Sequence, residues 1–359
     1  MKNLKKNKIS LCTVSMNRLH HLMQTLPKNI EDNIDYDNLE FVVLNYNSKD
    51  AIDEWVTKKM GKYLDSGILQ YYKTTEPESF QHSHAKNAVA KCAKGNIICN
   101  VDADNFIGKG FVDYVNKVFT ENKNVFIATP KNAKAVGCYG RICAKASDFY
   151  KITGYDETMK GYGFEDFDLT NRLEMLPLTR IKITNSNYLN AISHDDGERL
   201  KDEKNSVDIQ RVFARKIDYK SVQLLFLFKN SEYCHGELLY NRLQNSQSLS
   251  NIFPENREYE YEHSIKQDKW EKGLFKFTNG RLMLLKPKFL SGLTKDGFNE
   301  TENYVAVEDF FPVEDEARIL SMKMFYSQIS NRIKMLRNRS EKSTTLNQVS
   351  FGKVNLVKL

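Results

Sequence analysis

The chain has 359 residues, enough for two domains at roughly 150 residues each. Its 41% hydrophobic and 11% aromatic content, with only 17 Gly and 7 Pro, excludes disordered, collagen-like and linker-dominated classes. The formal charge of +7 comes from the ends: Lys2, Lys5, Lys6 and Lys8 and the basic stretch 322–342 leave the body slightly acidic, which argues against a nucleic-acid groove and places any anionic partner at the termini.

From Lys8 to about Ile192, short apolar runs alternate with helical patterns. Residues 9–14 read as a strand, after which Leu19, Leu22, Met23 and Leu26 fall on one helix face. Residues 40–44 (EFVVL) form a second buried strand, 50–64 a helix with Ile52, Trp55, Val56 and Met60 on one side, and 68–72 a third strand. Residues 85–94 read as a helix closed by Gly95 as C-cap, and 96–101 (NIICNV) as a fourth strand. This alternation predicts right-handed crossovers and an α/β fold, mostly parallel, with helices on both faces of the sheet. After about Ile209 the pattern changes. Residues 222–228 are one apolar run, 270–285 a hairpin turning at Asn279-Gly280, and Met322, Phe325, Ile329, Ile333 and Leu336 a helical stripe among basic residues. The expected division is a first domain over 1–210 and a C-terminal α+β extension over 211–359.

Six scattered cysteines, with no C-x-x-C pair, read as reduced core thiols. No run approaches the about eighteen apolar residues of a membrane span, and residues 9–15 are too short and polar for a signal segment, so a cytoplasmic location is expected.

In open parallel sheets, ligands sit at the carboxyl ends of the strands. The segments there are Ser15-Met16-Asn17-Arg18, the loop from Asn45 through Asn47 to Asp50, and Asp102-Ala103-Asp104. Asp102 and Asp104 point the same way from a strand end and can hold a hard divalent cation whose open positions a diphosphate fills; the bland alternative is a solvated loop with a helix cap. In residues 151–169, Gly154, Gly161 and Gly163 precede a helix whose first turn carries Glu165, Asp166 and Asp168. Asp168 reads best as ordinary helix N-terminal charge, whereas the glycines before Glu165 and Asp166 allow a ligand close to the backbone.

Residues 84–105 (HAKNAVAKCAKGNIICNVDADN) resemble the A-R-N-x-A…A-x-G…D-x-D segment of family 2 glycosyltransferases of GT-A fold, with Lys86 in place of the usual arginine. Residues 154–173 (GYDETMKGYGFEDFDLTNRL) resemble the G-F…G-W-G-G-E-D-D-D motif of β-1,4-galactosyltransferases and the W-G-x-E-D of bacterial chondroitin-type polymerases. TVSMNR (13–18) stands where the family has its first nucleotide loop. Asn45-Tyr-Asn-Ser48 replaces the usual Asp-Asp-Gly-Ser, Tyr162 a tryptophan, and Phe164 a glycine.

The resemblance implies a GT-A catalytic domain that moves a sugar from a nucleoside diphosphate sugar, by default uridine-linked, to a saccharide or lipid-linked hydroxyl. Thr13, Ser15, Asn17, Arg18, Asn45, Asn47, Lys86, Asn87, Asp102 and Ala103 would then face the nucleotide sugar. Asp104, Asp102 and His194 would hold Mn²⁺ or Mg²⁺, Asp166 would be the catalytic base, Glu165 would orient hydroxyls, and Tyr162 and Gly163 would meet the acceptor. A carboxylate at the ordinary pKa of about 3.9 is ionised at neutral pH and suffices as base. The other histidines, His20 and His21 among them, have no comparable context, though His82 and His84 precede the helix expected to border the diphosphate. The competing readings are a retaining transferase on the same sheet, a sugar nucleotidyltransferase, and a non-catalytic carbohydrate-binding protein. A nucleotidyltransferase should carry a glycine-rich first loop, which residues 13–18 lack. For the C-terminal stripe, the alternatives are lying on an anionic membrane surface at the inner face, or packing on the catalytic domain or a second subunit.

Overall fold

The structure is a computed structural model that describes residues 6–130, 137–217, 221–239, 270–285, 304–307 and 309–359. Lys2 and Lys5 of the basic start lie outside the described residues. The chain separates into two compact units, residues 1–203 with 330–359, and residues 204–329. The last thirty residues thus group with the first unit and not with the extension expected over 211–359.

In the first unit the strands are β1 (Ile9–Ser15), β2 (Leu39–Tyr46), β3 (Leu69–Thr74), β4 (Ile97–Asn100), β5 (Asn105–Phe106), β6 (Val125–Ala128), β7 (Ile142–Lys145), β8 (Thr179–Lys182) and β9 (Asn190–Ala191). Eight strands form the main sheet in the order β17-β3-β2-β1-β4-β7-β6-β8, where β17 is Val357–Lys358. The β1–β2, β1–β4, β2–β3 and β6–β8 pairs are parallel, while β7 runs antiparallel between β4 and β6. Every residue of β2 is buried, as expected of a parallel strand covered on both faces.

Alternate residues of the strands feed two cores. On one face Ile9 and Leu11 of β1 pack with Leu22, Leu26 and Ile30 of α1 (Leu19–Glu31), with Ile52 and Val56 of α2 (Ile52–Lys59), and with Val112 and Val115 of α5 (Phe111–Glu121). On the other, Cys12 and Val42 meet Ala85, Ala88 and Val89 of α4 (His82–Cys92), Phe149 of α6 (Ala146–Lys151) and Leu169 and Leu173 of α7 (Glu165–Met175). Phe351, from the C-terminal segment, closes this second core.

Three local expectations differ. The helix expected over 50–64 is two, α2 and α3 (Gly61–Asp65), because Met60 leaves helical geometry just before Gly61. Gly95 is not a helix cap: α4 ends at Cys92 with Ala93 already extended, and Gly95 is needed because a Cβ there would stand 2.5 Å from Oγ and 2.8 Å from the backbone N of Ser10. The alternation of apolar runs and helices expected as far as Ile192 ends in only a 3-10 turn (Ser186–Tyr188) and the two-residue β9, which pairs antiparallel with β5. All six cysteines are free, and five are buried, as the sequence suggests.

The second unit, from α9 (Lys204–Asp208) onward, is an antiparallel sheet of β10 (Ile209–Lys216), β11 (Ser221–Phe228), β12 (Glu232–Leu239), β13 (Glu271–Thr278), β14 (Arg281–Leu285), β15 (Tyr304–Ala306) and β16 (Phe311–Pro312), in the order β15-β14-β13-β12-β11-β10-β16. The β13–β14 hairpin turns at Asn279 (φ 51) and Gly280 (φ 76), both left-handed as a tight two-residue turn requires. α10 (Glu316–Ser340) lays Tyr326 on Phe226 and Phe325 beside Trp270. Met322, Phe325 and Ile329 are at most 1% exposed, so these three stripe residues are spent on packing within the chain, while Ile333 and Leu336 stay partly exposed. No helix among the described residues is long and apolar enough to cross one.

The C-terminal half of α10 ties down the helix that carries the acidic motif. Nδ2 of buried Asn338 donates to Oδ2 of Asp156 and Oδ1 of Asp168, both at 3.0 Å, and Arg172 pairs with Asp168 at 2.7 Å. Asn338→Ala should therefore lower unfolding stability by about 3 kcal/mol, since it strips two buried carboxylates of a donor. Urea denaturation followed by circular dichroism measures this, and a change near zero would mean that the tie carries no stability.

Candidate active site

The loops after β1, β2 and β4 and the start of α7 meet at the carboxyl end of the parallel strands. The β1 and β2 loops are knitted to each other: the Asn17 backbone N–H donates to Ser48 Oγ, the Lys49 N–H to Asn17 Oδ1, and the Leu19 N–H to Asp50 Oδ2, which caps α1 from outside. Asn17 and Asn47 both adopt left-handed backbone, with φ of 55 and 59.

Several residues expected at the nucleotide are held inside this framework. Thr13 and Ser15 are buried, and the side chain of Asn45 is divided between Asp53 and the Ser48 N–H. Asn47 donates to the Pro77 carbonyl. Asn87 is fully buried and clamps the 155–157 segment through the Tyr155 backbone and Glu157. Ala103 contributes its carbonyl to Thr25 Oγ1. Arg18 is turned to Glu198.

At the end of β4, Asp102 accepts from Asn100 Nδ2 at 3.1 Å, and a Cβ on Gly140 would stand 2.5 Å from its Oδ2, so only glycine admits this carboxylate. Burial, opposed by Lys86 and reinforced by Asp104, pushes the Asp102 carboxyl up. Asp104 receives Asn105 Nδ2 on Oδ1, while its Oδ2 stands 2.8 Å from Nε2 of His194. Asn105 is itself fixed by Arg141, which is fully buried. The β5–β9 pair and the Ile192 N–H donating to the Asp104 carbonyl bring His194 to this place from the far side of the sequence. A carboxylate oxygen and an imidazole nitrogen so close together, with the buried His194 Nδ1 unpartnered and Asp102 alongside, fit the donor chemistry of a divalent cation site.

His20 and His21 are not without context. The His21 ring lies 5.2 Å from that of His194, and Nε2 of His20 is 2.6 Å from Oε1 of Glu198. Ligand atoms of His20, His21 and Glu198 lie within 4.8 Å of one another and bind α8 (Asp196–Leu200) to the start of α1.

Across the cleft, the ammonium of Lys86, 7% exposed, donates to Oδ1 of Asp166 at 2.7 Å and Oε1 of Glu165 at 3.1 Å. Burial works against this ammonium, but Asp166, Glu165 and Asp102 outweigh it and hold its pKa well above the usual value. One cation cannot neutralise two carboxylates in a dry site, so they part. For Glu165, burial is outweighed by Lys86, His82 and the helix backbone, and its pKa falls. For Asp166, burial dominates, Lys86 opposes it, Glu165 and Asp102 add to it, and the pKa rises to about 7. The ordinary carboxylate value expected from sequence does not hold here. His82, Nδ1 of which lies 3.9 Å from Glu165, is drawn down to about 4 by burial and faces Glu165 neutral. Asp168, as expected, is no part of the cleft: it is sequestered with Arg172 and Asn338.

The turn before α7 supplies the remaining wall. Tyr162 packs edge-on to His82, with ring centroids 5.4 Å apart. Asn331 donates to the carbonyls of Gly161 and Gly163. Phe164, which stands where the resembled motif has glycine, keeps a left-handed backbone (φ 69) under the cation of Arg332. Asn331 and His21 carry no signal in the sequence, since no spacing links them to the acidic motif, and His82 carries only its place before the helix expected over 85–94.

A carboxyl-selective titration by ¹³C NMR tests the electrostatics without substrate. Asp166 should titrate near 7; Lys86→Met should raise that value and Glu165→Gln lower it. Shifts of the same sign in both variants would contradict the arrangement.

Residues 10–142 match the family model described as glycosyl transferase family 2, and residues 129–195 the model described as the N-terminal domain of galactosyltransferase. No curated protein matches the chain significantly. Among solved structures, the mannosyltransferase PcManGT from Pyrobaculum calidifontis, bound to GDP-Man and Mn²⁺, is 17% identical with a TM-score of 0.46 over 55% of this chain and 61% of that one. TarS from S. aureus with UDP is 13% identical with a TM-score of 0.40, over 83% of this chain and 98% of that one. A mutant of Drosophila β-1,4-galactosyltransferase 7 with manganese, UDP-Gal and xylobiose is 14% identical with a TM-score of 0.37, over 55% and 75%. The chain spans less than two thirds of the mannosyltransferase it resembles. The family 2 model runs through Asp102 and Asp104, and the galactosyltransferase model through Glu165, Asp166 and His194, so both acidic motifs of the first unit fall within stretches that match glycosyltransferase domains.

Proposed function

We propose that this chain is a GT-A-type glycosyltransferase that moves a sugar from a nucleoside diphosphate sugar, uridine-linked by the resemblance above, to a saccharide or glycolipid hydroxyl with inversion at the anomeric carbon. The observation that carries the reading is the pairing, in one cleft, of a cation-competent Asp104–His194 edge with a carboxylate, Asp166, whose pKa lies near neutrality. In this reading Asp166 accepts the proton of the acceptor hydroxyl as its oxygen attacks the anomeric carbon, and the bond to the diphosphate breaks on the opposite side with its electron pair leaving on the diphosphate. Lys86 keeps Asp166 aimed and its proton affinity matched to neutral pH; Glu165, ionised beside it, orients hydroxyls; the Tyr162 ring gives a sugar face to stack on. A divalent cation held by Asp104 and His194, with Asp102 behind them, would neutralise charge on the leaving diphosphate. Mn²⁺ suits this mixed oxygen and nitrogen set better than Mg²⁺. A role in polysaccharide assembly inside the cell follows from the same reading.

The test is a panel of nucleotide sugars assayed for metal-dependent hydrolysis and transfer, with the product's anomeric proton coupling read to assign inversion or retention. Asp104→Ala should abolish metal-dependent turnover with the fold intact. Asp166→Asn should lose roughly 10²-fold in kcat with nucleotide affinity kept. His194→Ala should need more Mn²⁺, with excess metal restoring part of the rate. Full activity in Asp104→Ala, or an Asp166→Asn variant as fast as the parent, would overturn the assignment.

A further inference from the structure

The second unit carries a built cavity of its own. A space of about 670 Å³ opens on one face of the antiparallel sheet, between Arg211 and Phe213 of β10, Phe277 of β13, Arg281 of β14, and Phe310. Arg211 and Phe213 are two apart on one strand and so share this face, the same face as the small core of Leu225, Leu227 and Tyr233. The Arg211 guanidinium centre lies 5.2 Å from the Phe213 ring and 5.4 Å from the Phe277 ring. Arg215 lies 5.0 Å over Phe310 from the next position on that face, its own guanidinium taken up by Gln223. Two features set this cavity apart from a solvated surface. Among the described residues neither Arg211 nor Arg281 meets a carboxylate, and no acid lines the space. Phe277 is also left 45% exposed, a large apolar ring beside the Arg211 guanidinium.

We propose that this cavity binds an acidic glycan, with a sugar ring lying on the exposed Phe277 and a carboxylate or sulfate taken by Arg211 and Arg281. The chemistry of both halves points there. A guanidinium already held between rings loses little freedom on pairing and offers its donors in a planar fork that matches carboxylate and sulfate oxygens. Aromatic rings alone would take neutral sugars, and arginines alone would take any polyanion; together they select a ring that bears a negative charge. This goes beyond the transfer reaction proposed above, and neither Arg211 nor Arg281 belongs to the cleft of Asp104 and Asp166. The site on the second unit would let a charged glycan be recognised apart from the hydroxyl that reacts.

The full chain is titrated by calorimetry at low salt with four probes: a hexasaccharide of alternating glucuronate and N-acetylglucosamine, its carboxyl-reduced neutral counterpart, a sulfated hexasaccharide, and inorganic tripolyphosphate. At least one acidic hexasaccharide should bind, and the stronger of the two identifies whether carboxylate or sulfate is preferred. Binding should weaken on the order of tenfold or more in the Arg211→Gln, Arg281→Gln double variant and in Phe277→Ser, and the neutral counterpart should bind correspondingly worse than its parent. Metal-dependent donor hydrolysis should be unchanged in these variants, so that failure here is distinguishable from failure of the transfer reaction. Three results would overturn the proposal: binding of neither acidic hexasaccharide, equal binding of the neutral one, or tripolyphosphate binding that matches the glycans and ignores Phe277→Ser, which would mark a plain anion site.

Discussion

One buried ammonium between two carboxylates organises the cleft of the first unit. Lys86 reaches from α4 to Glu165 and Asp166 on α7, and the site it closes carries one negative charge more than it can neutralise. Removing charges from water costs several kcal/mol each unless they are paired, so the surplus cannot be shared evenly. It falls on Asp166, the carboxylate farther from His82 and the helix backbone donors, and leaves that group able to take or lose a proton near pH 7. A side chain poised in this way is what a general base requires, and it arises from the fold without any distortion of the residue itself.

Holding that triad demands rigid surroundings, and the chain supplies them from distant places. Asn87 on α4 clamps the turn around Tyr155, with Gly352 and Gly154 packed so tightly on it that neither has room for a Cβ. Asn331 and Asn338 on α10 fix the two ends of the acidic segment, one through the Gly161 and Gly163 carbonyls and the other through Asp156 and Asp168. The C-terminal segment therefore serves the first unit even though 125 or so residues of other architecture intervene, which explains why residues 330–359 group with it. On the opposite wall, Arg141 and Asn105 do the same for Asp104.

Much of this was legible in the sequence, and the reasons for the rest are specific. The parallel strands announce themselves as apolar runs, the Asn279-Gly280 turn by its chemistry, and Asp102, Asp104, Glu165 and Asp166 by their position after strands or glycines. Asp168 was read as ordinary helix charge and is indeed outside the cleft, though as a buried partner of Arg172 and not a solvated one. What spacing could not convey is pairing across long separations: His21 beside His194, Asn331 beneath Gly163, Lys86 between two acids. For the same reason Asn45, Asn47 and Asn87 look like ligand contacts in a loop motif, whereas their side chains make hydrogen bonds inside the scaffold, and Thr13 and Ser15 are buried. The amphipathic stripe of α10 is a further case, because periodicity reveals an apolar face but not what covers it.

The proton affinity that Lys86 and Glu165 impose on Asp166 is the property on which the proposed reaction depends. The direct measurement is the pH dependence of kcat/KM for transfer, taken from about pH 5 to about pH 9 at saturating Mn²⁺. The rate should rise with pH through a single ionisation near 7, the value at which Asp166 loses its proton. A profile that is flat across this range, or one whose acid limb falls at the ordinary carboxylate value of about 4, would contradict it.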